Sequence, residues 1–168
     1  MGRISPYLAF AMASGCFALL GSAFYLEYVS GLVPCALCLA QRVVFALVGI
    51  LCLLYLIPSY RFRLICAISI LLSSALGIWL AARQLWLQAL PEDQVPDCGP
   101  DIYFMIERFP FTGSLQTLLL GSGSCAEVHP VLGLPIPTWT LMAYVALALG
   151  SVWLGAARGT RPFRLFND

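Results

Sequence analysis

The sequence predicts an all-α membrane protein, a four-helix transmembrane bundle with one short and one long loop on the exported side. Three observations carry this: an apolar composition, four charge-free runs long enough to cross a bilayer, and arginines sorted onto alternate connections. Of the 168 residues, 61% are hydrophobic and 10% charged, and the mean hydropathy is +0.90. A soluble domain of this length needs a polar surface that so few charges cannot supply, and a disordered chain needs the opposite composition. The formal net charge of +1 says little and gives no sign of a nucleic-acid partner. The placement of the charges says more.

Residues 4–26 form a run of 23 without a charge, residues 43–60 a run of 18, and residues 64–82 a run of 19. The last run spans 128–157, but Pro130, Pro135 and Pro137 move its expected helix start to Thr138, leaving 20 residues. A helix needs about 20 apolar residues to cross a hydrocarbon core of roughly 30 Å. The expected spans are therefore about 7–26, 43–60, 64–82 and 138–157, in a single integral domain covering 1–168. The first run follows Arg3 and ends near Gly21-Ser22-Ala23, as a signal peptide can. It is longer than the usual signal core of about 7–15 residues, so it reads as an uncleaved span.

All nine basic residues are arginines. With four spans, Arg3, Arg61, Arg63, Arg158, Arg161 and Arg164 share one side with a single acid, Asp168. The other side holds Arg42, Arg83 and Arg108 with the remaining seven acids. The positive-inside rule then places both termini in the cytoplasm. The exported side receives a short loop, about 28–41, and a long one, about 84–137. In the long loop, residues 90–101 read as irregular because of their proline and acid. Residues 114–120 read as a short helix, lying on the membrane surface or packed in the loop. Gly121-Ser122-Gly123-Ser124 makes a flexible link to Cys125.

Topology sorts the seven cysteines. Cys16, Cys52 and Cys66 fall within spans and read as small apolar residues in helix interfaces. Cys35, Cys38, Cys98 and Cys125 lie on the exported side, where an even set argues for disulfides. A Cys98–Cys125 bridge would contribute roughly 3–4 kcal/mol on the chain-entropy estimate. A bridge from Cys35 to Cys38 closes almost no loop and stabilises little, so this vicinal pair reads as redox-active or metal-binding. If the second helix begins near Cys38, its unpaired N–H groups and dipole favour a thiolate there, and Arg42, four residues on, adds positive charge. A Cys₄ zinc site is the competing chemistry, but the 26 residues between Cys98 and Cys125 are unlike the close second pair of such sites.

Four stretches then carry a family resemblance. They are Pro34-Cys35-Ala36-Leu37-Cys38-Leu39-Ala40-Gln41-Arg42; Gln84-Leu85-Trp86-Leu87-Gln88 with Pro96-Asp97-Cys98-Gly99-Pro100; Gly121-Ser122-Gly123-Ser124-Cys125-Ala126-Glu127; and Leu132-Gly133-Leu134-Pro135-Ile136-Pro137-Thr138-Trp139. Together they resemble the bacterial disulfide bond formation protein B (DsbB) family over nearly the whole chain. Gln41 stands where many members carry an acid. The stretch Val128-His129-Pro130-Val131 is one residue shorter than in many members and lacks a tryptophan. His129 reads as a loop residue.

The resemblance implies a bacterial inner-membrane enzyme that reoxidises a periplasmic, thioredoxin-like dithiol oxidase (DsbA-like) and passes the electrons to membrane quinone, ubiquinone or menaquinone. DsbA is a strong oxidant, at about −120 mV, so its reduced form accumulates unless it is drained. By similarity, Cys98 is attacked by the partner thiolate, Cys125 is released and attacks Cys35, and Cys38 leaves as a thiolate that donates to quinone. Arg42 would bind the quinone carbonyl, with Arg83 a weaker candidate. Tyr28, Trp86 and Trp139 fit an interfacial aromatic belt. Two other readings compete: a vitamin K epoxide reductase-like quinone reductase, whose Cys-x-x-Cys comes late in the chain, and a structural four-span protein with extracellular disulfides. A reporter active only outside the cytoplasm should be active when fused after Asp101 and silent when fused after Arg63; the reverse pattern would overturn the orientation and the redox reading with it.

Overall fold

The computed structural model describes residues 4–31, 35–57, 59–91, 126, 130–131 and 133–157. Four long helices dominate: α1 (Ile4–Ser30), α2 (Ala36–Leu54), α3 (Tyr60–Gln88) and α4 (Ile136–Ala157). A short antiparallel hairpin precedes α4, with β1 (Pro130–Val131) paired to β2 (Leu134–Pro135). Gly133, at φ +82°, takes the left-handed conformation that its two-residue turn requires. All four helices contain a segment long and apolar enough to span a membrane. In hydrocarbon every backbone N–H and C=O must be paired within its own segment, which is why these apolar runs become unbroken helices.

The helices close a ring in which α1 packs on α2, α2 on α3, α3 on α4, and α4 on α1. Each buries one stripe at helical spacing. In α1 it is Ala9, Ala13 and Cys16; in α2, Leu37, Gln41, Val44, Val48 and Cys52. In α3 it is Ile70, Ser74, Leu80, Gln84 and Leu87; in α4, Tyr144, Leu147, Ser151 and Leu154. The outward faces carry Phe10, Val43, Ile50, Leu72, Leu149 and Trp153, all well exposed. On a soluble protein such a continuous apolar surface would be an aggregation site; here it is the face a bilayer covers.

Two polar clusters at opposite ends fix the antiparallel arrangement. At one end Tyr55, just past α2, donates its hydroxyl to the Leu154 carbonyl of α4 (3.1 Å) and bonds the Ser5 hydroxyl of α1 (2.8 Å). Arg63 lies over the Tyr55 ring and donates to the Ile57 carbonyl, bracing the α2–α3 connection. At the other end Tyr144 of α4 stacks on Phe45 of α2, with ring centroids 4.1 Å apart, and donates to the Gln41 carbonyl at 2.7 Å. α3 admits the Tyr144 ring only because position 77 is glycine. A Cβ there would lie 2.4 Å from the ring.

Helices and charge-free runs do not coincide. The second run, 43–60, overshoots. α2 begins at Ala36 and ends at Leu54, because Pro58 disfavours helical backbone at the residue before it. The expected short loop of 28–41 shrinks accordingly, since α1 reaches Ser30 and α2 takes in residues 36–41. α3 runs from Tyr60 to Gln88, well past the 64–82 run at both ends, so Gln84, expected at the start of the long loop, is helical and buried. α4 starts two residues before Thr138 and accommodates Pro137 in its first turn, where a missing N–H does no harm. A run ends at the first charge, whereas a helix continues while long side chains such as Arg42 and Arg83 lean back to polar partners. Cys98, Cys125, Arg108 and His129 lie outside the described residues, as do the expected helix at 114–120 and the link at 121–124.

The Tyr144 seat gives a packing test. Gly77→Leu should destabilise the bundle by about 1–3 kcal/mol through overpacking against the ring. Tyr144→Phe should lose only the interhelical hydrogen bond, about 0.6 kcal/mol on membrane precedents. Both are read by denaturant unfolding in detergent, and an undisturbed Gly77→Leu would show that the ring does not sit against α3.

Candidate functional site

The vicinal cysteines sit at the start of α2. Cys35 is its N-cap residue, in extended backbone geometry, and its sulfur accepts the Cys38 backbone N–H at 3.3 Å. Capping groups are normally oxygen acceptors, since the first-turn amides have no partner within the helix. Here a cysteine sulfur takes that place, in the field of the helix dipole, which favours a thiolate. The Cys35 and Cys38 sulfurs are 2.7 Å apart. A disulfide closes at about 2.05 Å, so a shift of well under 1 Å would join them. Cys35 is buried and Cys38 partly exposed.

Two glutamines stand behind the pair. Gln84 Nε2, from α3, lies 3.3 Å from Cys38 Sγ and 3.5 Å from Cys35 Sγ. Its Oε1 accepts from Gln41 Nε2 at 2.9 Å. Both amides are buried. On the other side is Arg42. Its Nη1 forms an ion pair with Glu27 Oε2 near the end of α1, and its Nη2 donates to the Ala23 carbonyl at 3.1 Å. Its guanidinium lies 5.2 Å from the Phe24 ring centroid. Arg42 therefore shares the helix with Cys38 but is anchored on α1. Among the described residues Glu27 is the only acid.

Arg83 lies over the Trp86 ring at 5.0 Å, consistent with an interfacial cation–aromatic pair. Trp139 donates its indole N–H to the Val131 carbonyl at 3.1 Å, tying α4 to the hairpin, and Tyr28 is exposed at the same end. Cys16, Cys52 and Cys66 are buried among the helices, away from this end. Sequence reasoning missed Gln41, Gln84 and Glu27 as members of the site. The signal was available, because polar side chains inside apolar helices are costly and mark function or interhelical bonding.

A membrane bundle carrying a dithiol pair at a helix N-terminus has the build of a membrane thiol–disulfide oxidoreductase. A family model described as "Disulfide bond formation protein DsbB" matches residues 5–154. "Disulfide bond formation protein B" of Hahella chejuensis is 45% identical over 154 residues, 90% of each chain. Its counterpart in Saccharophagus degradans is 43% identical over 150 residues, 88% of this chain and 90% of the other. "Disulfide bond formation protein B 1" of Pseudomonas aeruginosa is 42% identical over 150 residues, 87% of this chain and 92% of the other. This chain belongs to the disulfide bond formation protein DsbB family, and it is a multi-pass membrane protein.

The cysteine sorting yields a test. Replacing Cys16, Cys52 and Cys66 together by alanine removes one sulfur from each of three buried positions, at about 1 kcal/mol apiece. Turnover should stay within about twofold of the parent at moderate temperature, with a lower unfolding midpoint. Loss of turnover in a folded triple variant would place one of these thiols in the chemistry.

Proposed function

We propose that this chain oxidises a thioredoxin-like dithiol protein on the exported side of the bacterial inner membrane and passes the electrons to membrane quinone. The observation that carries this reading is the Cys35–Cys38 pair, capping α2 with its sulfurs 2.7 Å apart and Arg42 one turn further along the same helix. A structural disulfide has no use for a helix dipole or a nearby guanidinium, whereas a leaving thiolate is stabilised by both. The family membership supports disulfide chemistry, and the arginine asymmetry supports a periplasmic position for this end of the bundle.

The steps follow from sulfur chemistry. The partner's thiolate attacks Cys98 in a Cys98–Cys125 bridge, forming a mixed disulfide and releasing Cys125 as the thiolate. Cys125 attacks Cys35, and the electron pair of the broken Cys35–Cys38 bond leaves on Cys38. The partner's second thiolate then displaces Cys98 from the mixed disulfide, Cys98 attacks Cys125 to restore their bridge and free Cys35, and closing the Cys35–Cys38 bond again gives up two electrons. Cys38 is the more exposed residue of the pair. A bound quinone supplies a two-electron, two-proton acceptor. The residues fit such a group. Arg42 has five N–H donors, and Glu27 and Ala23 engage its two terminal nitrogens without exhausting them. The exposed rings of Phe24 and Tyr28, near the end of α1, offer apolar surface. Glu27 holds the guanidinium in place, so Arg42 is oriented before a carbonyl arrives.

Cys98→Ser should abolish oxidation of the partner yet leave the Cys35–Cys38 pair able to react with added quinone, as thiol counting in the purified protein would show. Arg42→Ala should weaken quinone affinity about tenfold to a hundredfold, since a charge-assisted hydrogen bond contributes roughly 1.5–3 kcal/mol. Arg42→Lys should recover only part, because a point charge replaces a planar fork. Unchanged quinone dependence of turnover in Arg42→Ala would remove Arg42 from the site and bring Arg83 forward.

A further inference from the structure

We propose that Gln84 is part of the dithiol chemistry: its side-chain N–H stabilises the Cys38 thiolate released when the Cys35–Cys38 bridge opens. The proposal deepens the function above and rests on its reading of Cys38 as the leaving sulfur.

Gln84 is 4% exposed, in the last turns of α3. Its amide has two ends with two different tasks. The oxygen accepts from Gln41 Nε2, which sets which end of the amide points at the cysteines. The nitrogen then faces both sulfurs, 3.3 Å from Cys38 and 3.5 Å from Cys35. Gln41 is itself braced on its helix, whose carbonyl at that position receives the Tyr144 hydroxyl. Tyr144, Gln41 and Gln84 thus form a line from α4 through α2 to α3 that ends on the reacting atoms.

Interhelical glue alone would need only the Gln41–Gln84 bond. The further donor aimed at sulfur has a different consequence. A neutral thiol or a disulfide sulfur is a poor acceptor, whereas a thiolate is a good one. The contact therefore strengthens as charge develops on Cys38, which is what lowers a barrier rather than merely binding. In the step concerned, an incoming cysteine thiolate forms a new S–S bond to Cys35, the Cys35–Cys38 bond breaks, and its electron pair stays on Cys38 Sγ. No proton is consumed, and the donor is already in place. The backbone N–H of Cys38 serves the Cys35 sulfur, so Gln84 complements the helix cap instead of duplicating it.

The test uses the full-length chain in detergent with Cys35, Cys98 and Cys125 replaced by serine, and follows iodoacetamide alkylation of Cys38 by mass spectrometry at one fixed pH. Neither quinone nor partner is present. Two variants are compared. Gln84→Glu keeps an oxygen for Gln41 but removes the donor toward sulfur; Gln84→Leu removes both without adding charge. A lost charge-assisted bond lowers the thiolate fraction about ten- to a hundredfold, and the more basic thiolate is intrinsically more reactive, which offsets roughly half of this on a logarithmic scale. Alkylation should therefore slow by about threefold to tenfold in both variants. A rate unchanged in both would overturn the proposal and leave Gln84 as helix glue. Slowing in Gln84→Glu alone would also overturn it, because added negative charge would then be the cause. If the wild-type chain failed to reduce quinone while both variants still slowed alkylation, the proposed function would fall and Gln84 would remain the Cys38 donor.

Discussion

Hydrocarbon can solvate neither a backbone amide nor a thiolate, and this one constraint sorts the chain. It forces the apolar runs into unbroken helices and confines polar pairing to the two ends of the bundle. Ser5, Tyr55 and Leu154 meet at one end; Gln41, Gln84, Tyr144, Arg42 and Glu27 meet at the other. Between them the contacts are those of small and apolar side chains, such as Ala9, Ala13, Val48, Ala67 and Ile70. A redox dithiol in such a molecule has to stand at a helix end, where unpaired amides can receive it.

The α2 N-terminus meets that need with few residues. Cys35 caps the helix, Cys38 lies in the first turn, and Arg42 follows one turn later. Their side-chain partners come from α1 and α3. α1 supplies Glu27 and the Ala23 carbonyl to Arg42 and α3 supplies Gln84 to the cysteines, while Tyr144 of α4 holds the carbonyl of Gln41. The four helices thus set the surroundings of the Cys35–Cys38 pair, and their packing sets its geometry. Gly77 illustrates the link: its missing side chain lets Tyr144 reach the Gln41 carbonyl, and Gln41 in turn orients Gln84.

Much of this was legible in the sequence. Charge-free runs matched the four membrane-length helices among the described residues, and the Cys-Ala-Leu-Cys spacing with Arg42 put all three side chains at the start of α2, where the structure has them. Helix limits were not legible from charge, because Arg42 and Arg83 are tolerated inside helices when Glu27 or Trp86 receives them. Gln84 was visible as part of a motif, but its partners lie 43 and 46 residues away, at Gln41 and Cys38. Such pairing depends on how α3 is rotated against α2, which no local pattern encodes. Glu27 counted only as one acid among several until the fold set it against Arg42.

The central claim is that thiol electrons entering on the exported side leave to quinone through Cys38. The most direct measurement mixes the purified chain with a reduced thioredoxin-like dithiol protein and a soluble quinone under anaerobic conditions, and counts thiols lost against quinol formed. The account predicts catalytic quinol formation, one quinol for each pair of thiols, absent without the chain. Thiol loss without quinol, or quinol formation that persists after Cys38→Ser, would contradict it.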